Sequence, residues 1–261
     1  MVKIMRNDNL KFFMTFFVLL FSMNSGASDL AKEQRWADQV VDAILDGDAV
    51  WLNDGKSEFL SIYTEAEDNK DKAVIVMHGT GIHPDWPQVV QPLRVGLIES
   101  GWNTLSIQMP VLANEAEYAE YAPLYAEVPP RIDAALDYLV AQGMKTIVLV
   151  GHSQGAAMAA YYLSISDKPI DGFVAIGMAS FDDDKAMNSF ISLEQIKQPV
   201  FDLYGEEDLE NIMANASGRA AAAKKAGNKK FTQSKIPGNH FFDGQEDALV
   251  ETVSSWLSKN Y

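Results

Sequence analysis

The chain has 261 residues, 48% of them hydrophobic and 22% charged, with a formal net charge of −15 and no cysteine. Such a composition excludes a disordered chain and a disulfide scaffold, and it can bury a large core. The acidic field repels nucleic acid and anionic membrane surfaces; it reads first as a device for solubility, and only more weakly as disfavouring strongly anionic substrates.

The chain opens with Lys3, Arg6 and Lys11, followed by the apolar run Phe12 to Phe21. Ser25 and Ala27 then place small residues at the −3 and −1 positions of a cleavage site. This is the layout of a secretory signal peptide over residues 1–27, cut near Ala27, with one domain over 28–261. The run falls short of the roughly 20 residues that span a bilayer. The expected product is periplasmic or secreted, with no membrane span after processing. Without cysteine there is no lipid anchor on a thiol and no disulfide, and a chain of this size folds without staples.

A helical pattern runs from Ala31 through Trp36, Val40 and Ile44, and stops before Gly47. Residues 49–52 and 58–64 read as a hairpin about the Asp54-Gly55 turn. Residues 73–77 are a short buried strand. Val89, Leu93 and Leu97 share a helical face that ends at Gly101, and residues 102–108 form a strand. Pro129 and Pro130 open a helix with Ile132, Leu136, Leu139 and Val140 on one face, closed by Gly143. A strand over 146–150 leads into a helix over 153–165, and further strands follow at 173–177 and 199–204. An alanine-rich helix is predicted over 211–226, a strand over 230–236, and a last helix bearing Leu249, Val253, Trp256 and Leu257. Alternating strands and helices from residue 73 onward predict an α/β fold. Its sheet has about eight strands, mostly parallel and twisted, with helices on both faces and the antiparallel hairpin at one edge.

Residues 147–157 read IVLVGHSQGAA. Ser153 stands at the turn from a strand into a helix, with Gly151 and Gly155 two places to either side. A sharp turn there brings backbones too close for Cβ atoms. It lifts the hydroxyl to the carboxyl end of the sheet, and it frees the Gln154 amide at a helix N-terminus to receive an oxyanion. This is the G-x-S-x-G pattern of a nucleophile elbow. The competing reading is a tight turn with an ordinary N-cap serine.

A serine hydroxyl needs a base. Of four histidines, His240 follows the last strand and precedes the last helix, which is the place for the base in the order Ser, Asp/Glu, His. An acid must orient that base. Asp208 lies just beyond the 199–204 strand, three residues after Gly205, and is the preferred acid, with Glu207 in reserve. Asp202 falls within the strand and faces a covering helix. The second oxyanion donor is expected from His78-Gly79-Thr80-Gly81 after the 73–77 strand. The amide of Thr80 is assigned, with Gly81 as the alternative.

The order HGTG, GHSQG, GEED, GNH resembles the α/β-hydrolase superfamily. HGTGIHPDWPQVVQPLR and GWNTLSIQMP look like one branch, exported bacterial α/β-hydrolase-like proteins of unassigned function. The resemblance covers residues 48–261. It implies a Ser153–His240–Asp208 triad, an acyl-enzyme and no cofactor or metal. The segment where a lid is usually inserted, Met178 to Gln198, is short, so a small lid or none is expected. The function expected is a serine hydrolase acting on small-molecule acyl substrates, foremost a carboxylesterase on small or medium acyl groups. The alternative is a catalytically silent binding protein of the cell envelope on the same fold. Oligomeric state is not set by these residues.

Weaker signals complete the reading. Tyr118, Tyr121 and Tyr125 in residues 112–127 are expected to pack across the helices, with a pocket wall as the other reading. His83-Pro84-Asp85-Trp86 offers too few ligands for a metal and reads as a capped helix start. Lys224, Lys225, Lys229 and Lys230 gather at a helix end, where the dipole favours them. Asn215-Ala216-Ser217 is a sequon only in a eukaryotic secretory setting.

Overall fold

The computed structural model describes residues 27–68, 71–182 and 184–261. The predicted leader lies outside the described residues, apart from Ala27.

Helix α1 spans Leu30–Val41 and is capped by Asp29, whose side chain accepts the Lys32 amide at 2.9 Å. Its Ala37 and Val40 pack on Leu60 and Ile62. The hairpin is β1 (Asp48–Asn53) and β2 (Glu58–Thr64). Asp54 closes its turn by accepting the amides of Lys56 and Ser57, both at 2.8 Å. The remaining strands are β3 (Lys72–Met77), β4 (Asn103–Ile107), β5 (Thr146–His152), β6 (Gly172–Ile176), β7 (Val200–Glu207) and β8 (Phe231–Asn239). They form one sheet in the order β1-β2-β4-β3-β5-β6-β7-β8. Strand β2 runs antiparallel to both its neighbours, and β3 to β8 are parallel.

Helices α2 (Val90–Gly96) and α8 (Glu246–Asn260) cover one face, and α3 (Val128–Ala141) and α4 (Gln154–Ile165) the other. Covering both faces explains why the central strands read as unbroken apolar runs. On β3, Ala73, Ile75 and Met77 enter the core under α3 and α4, while Val74 and Val76 enter the core under α2 and α8.

Two local expectations are corrected. The alanine-rich helix expected over 211–226 is two helices, α6 (Glu210–Ala214) and α7 (Ala216–Lys225). They part at Asn215, which ends the first and precedes the second, at φ −84° and ψ −5°. The His83–Trp86 segment does not start a helix: α2 begins at Val90, and the Asp85 carboxylate goes to Arg94 at 2.6 Å rather than to backbone amides. The tyrosine segment is a 3₁₀-helix, Tyr118–Glu127, with Tyr121 and Tyr125 buried in the core. Between β6 and β7 the described residues make only the short helix α5 (Ser189–Leu193), and the segment is too short for a large lid.

Candidate active site

Strand β5 ends at His152 and α4 starts at Gln154, so Ser153 alone makes the turn, with φ 54° and ψ −119°. This backbone is nearly closed to residues with a side chain and costs about 1–3 kcal/mol unless surroundings hold it. They do so here: the Ser153 amide donates to the Ile176 carbonyl at 2.8 Å, locking the elbow to β6. Crowding accounts for the flanking glycines. A Cβ on Gly151 would lie 2.6 Å from Ala156 Cα, and one on Gly155 would lie 2.5 Å from the Met77 carbonyl oxygen.

The structure brings together three side chains that are far apart in sequence. His240 Nδ1 lies 2.6 Å from Asp208 Oδ1, and His240 Nε2 lies 3.0 Å from Ser153 Oγ. An ionised carboxylate accepts only, so Nδ1 carries the proton and Nε2 is left to accept the serine hydroxyl. Asp208 is buried, which alone would favour its neutral form. The hydrogen bond and charge of His240, with the amides of Gly205 and Leu209, outweigh burial and hold the carboxyl below its usual range. Those amides donate at 3.2 Å and 2.7 Å. Room for the pair comes from Gly177, where a Cβ would meet the His240 ring at 3.1 Å and Asp208 Oδ2 at 3.3 Å. Glu207, the reserve acid, is exposed at the end of β7. Asp202 is fully buried and pairs with Arg219 of α7 at 2.8 Å.

The two residues expected to donate to an oxyanion are tied to each other. Thr80 Oγ1 donates to Gln154 Oε1 at 2.9 Å. Gln154 is the first residue of α4, where amides have no partner within the helix. Thr80 and Gly79, but not Gly81, line the cavity above Ser153.

Two histidines that the sequence left without a role hold this frame. His78 is fully buried. Its Nδ1–H donates to the Gly79 carbonyl at 2.8 Å, while Nε2 accepts from the Met109 amide and the Gln108 amide group, each at 2.9 Å. Burial pushes its pKa down to about 3, so it is neutral and fixes the loop that carries Thr80. His152 donates from Nε2 to the His240 carbonyl at 2.9 Å. Its pKa is also lowered to about 3, by burial first and by the neighbouring His240 next. No spacing rule marks either one, because both act through distant backbone and side-chain partners.

Above Ser153 lies a cavity of about 410 Å³. Its walls are chiefly apolar: Ile82, Tyr118, Phe181, Leu209, Ile212 and Phe241. Tyr118 and Phe181 stack with ring centroids 4.2 Å apart and planes 15° apart. Of the three tyrosines in the 3₁₀-helix, Tyr118 is the one that walls this cavity. Among the described residues no cluster of histidine, aspartate or glutamate could hold a metal ion.

Comparison with known proteins places the fold. A family model described as "Protein of unknown function (DUF3530)" matches residues 28–130 and 116–259. No curated protein matches the chain. Among solved structures, the chain resembles Est1E from Butyrivibrio proteoclasticus at 17% identity and TM-score 0.63, covering 82% of this chain and 99% of that one. It resembles an esterase of Pyrococcus furiosus at 18% identity and TM-score 0.67, covering 82% and 91%. It also resembles a dienelactone hydrolase from Anabaena variabilis at 18% identity and TM-score 0.61, covering 82% and 98%. The architecture is the α/β-hydrolase fold.

Proposed function

The chain belongs to the family described as protein of unknown function DUF3530, and we propose that it is an exported serine hydrolase, a carboxylesterase on small or medium acyl groups. One observation carries the reading: the continuous hydrogen-bonded series Asp208–His240–Ser153 at the floor of an apolar cavity. The names of two structural neighbours, an esterase and a dienelactone hydrolase, agree with it.

In this proposal Ser153 Oγ attacks the acyl carbonyl as His240 Nε2 takes its proton. Asp208 holds the imidazole and stabilises the positive charge it gains. The amides of Thr80 and Gln154 receive the oxyanion of the tetrahedral intermediate. His240 then protonates the leaving oxygen, the alcohol departs, and an acyl-enzyme remains on Ser153. Water repeats the sequence, with His240 as base, to release the acid. The acyl chain lies against Tyr118 and Phe181, where burial of apolar area at about 25 cal/mol per Å² supplies binding.

Labelling of the folded protein by a fluorophosphonate probe tests the proposal. Wild type is expected to label, and Ser153→Ala and His240→Ala are expected not to. Folded wild type that stays unlabelled, or Ser153→Ala that labels equally, defeats it and favours the silent binding protein. Hydrolysis of p-nitrophenyl esters of graded length then reads the acyl preference.

A further inference from the structure

The first residues of the described chain are held by charged groups. Ser28 lies directly after Ala27, the −1 residue of the predicted cleavage site. The Ser28 amide nitrogen is 3.3 Å from Glu127 Oε1, and Ser28 Oγ donates to Glu127 Oε2 at 2.8 Å. The amide and the hydroxyl of this residue therefore meet one carboxylate. The next residue is tied as well, because the Asp29 amide donates to the Val111 carbonyl at 2.7 Å. Ala27 is exposed.

The surroundings hold more negative than positive charge. Arg131, fully buried, faces Glu33 at 2.9 Å and Asp54 at 3.4 Å, and its Nη2 is 3.5 Å from Ser28 Oγ. Glu127 stands beside them as a third carboxylate, reached through the Ser28 hydroxyl, and Asp54 with Glu127 already outnumber the one guanidinium even where Glu33, raised by burial to about 7, is neutral. Lys32 does not balance them, because its ammonium is directed at the Leu112 carbonyl at 2.9 Å. A cation placed at Ser28 N would meet Glu127 directly and offset the surplus.

We propose that hydrolysis of the Ala27–Ser28 bond creates such a cation, and that Glu127 is the binding site for the new α-ammonium of Ser28. A leader peptidase would use water to split the amide. The carboxylate leaves on Ala27, and the freed amine on Ser28 takes up a proton. A neutral donor with one hydrogen becomes an ammonium with three, and a hydrogen bond charged only at the carboxylate becomes an ion pair charged at both ends. Glu127 ends the 3₁₀-helix that carries Tyr118 and is the residue before α3. Processing would thus brace the segment that walls the cavity. The proposal is independent of the serine-hydrolase reading.

The test begins with the full precursor exported from a bacterial host, the mass and N-terminal residue of the product being determined. A start at Ser28 is expected, and any other start overturns the proposal. Two purified forms are then compared, one starting at Ser28 and one extended by Gly-Ala before Ser28. The Ser28 form should melt about 2–4 °C higher, the shift about 1 kcal/mol brings to a domain of this size. Glu127→Gln should erase that difference. Its α-amine should also react several-fold faster with an amine-acylating reagent at pH 7 than the wild-type amine. Equal melting of the two wild-type forms, or a difference that survives Glu127→Gln, rules the site out.

Discussion

His152 Nε2 donates to the main-chain carbonyl of His240 at 2.9 Å, and the two rings lie 4.8 Å apart. The residue just before the proposed nucleophile thus holds the backbone of the proposed base. Strand β5 and the β8–α8 loop are joined at the point where Ser153 and His240 must keep a 3.0 Å contact. Removing this tie by His152→Leu should lower kcat by about 10–100-fold, since small displacements of a reacting pair cost that much. KM for a short ester should change little. Steady-state kinetics with a far-ultraviolet dichroism check would show it, and wild-type kcat in a folded variant would refute the bracing role.

The stacked pair Tyr118 and Phe181 should set acyl length. Truncation by Phe181→Ala or Tyr118→Ala removes apolar wall at the cavity, and a methylene contact in such a pocket is worth about 1–3 kcal/mol. Hydrolysis of an octanoate ester should fall by about tenfold or more in kcat/KM, with the acetate ester within about threefold. An equal loss on both esters would place the acyl chain elsewhere.

Acid should destabilise the fold through its buried imidazoles. His78 and His152 have folded pKa values lowered to about 3, below the unfolded value of about 6.5. The unfolded chain therefore binds more protons between those limits, and stability falls as pH drops below about 6.5. Each such histidine contributes a slope of about 1.4 kcal/mol per pH unit. Glu33 acts the other way: burial raises its carboxyl to about 7, so its protonation favours the folded state as pH falls from there. Urea titrations at pH 4.5, 5.5 and 6.5 on wild type and His78→Asn should show the variant with a shallower slope by about one histidine's share. Parallel lines would contradict the assignment.

The buried pair Asp202–Arg219 should be a stability element. Arg219 Nε meets Asp202 Oδ2 at 2.8 Å, and Arg219 Nη1 also donates to the Ile212 carbonyl at 2.9 Å, joining β7 to α6 and α7. Breaking one partner of a buried pair costs about 3–5 kcal/mol. Asp202→Ala should lose about that much in denaturant unfolding, and Asp202→Leu with Arg219→Met together should recover most of it. A loss below about 1 kcal/mol for the single change would mean that the charge finds water.

Local chemistry was strong enough in the sequence to mark most elements. Unbroken apolar runs placed β3, β5 and β6, the Asp54-Gly55 turn placed the hairpin, and Pro129-Pro130 with Gly143 bracketed α3. The crowding at Gly151 and Gly155 was legible because only glycine satisfies it. Where local signals tied, the reading failed. The alanines of 211–226 outweigh the weak helix formers Asn215, Ser217 and Gly218, so the break at Asn215 does not stand out. Asp85 has the form of a cap, but a buried guanidinium from nine residues away captures it.

Sequence by itself determined the order of strands and helices, the turn that carries Ser153, and the candidates for acid and base. Each of these is a near-neighbour property, written in periodicity, glycine and chain order. Only the tertiary structure decided that Asp208 rather than Glu207 meets His240, that His78 and His152 brace the frame, and that Tyr118 with Phe181 walls the cavity. Those choices depend on which distant backbone carbonyls and rings come within a few ångströms, and only parallel pairing of β3 to β8 sets that distance.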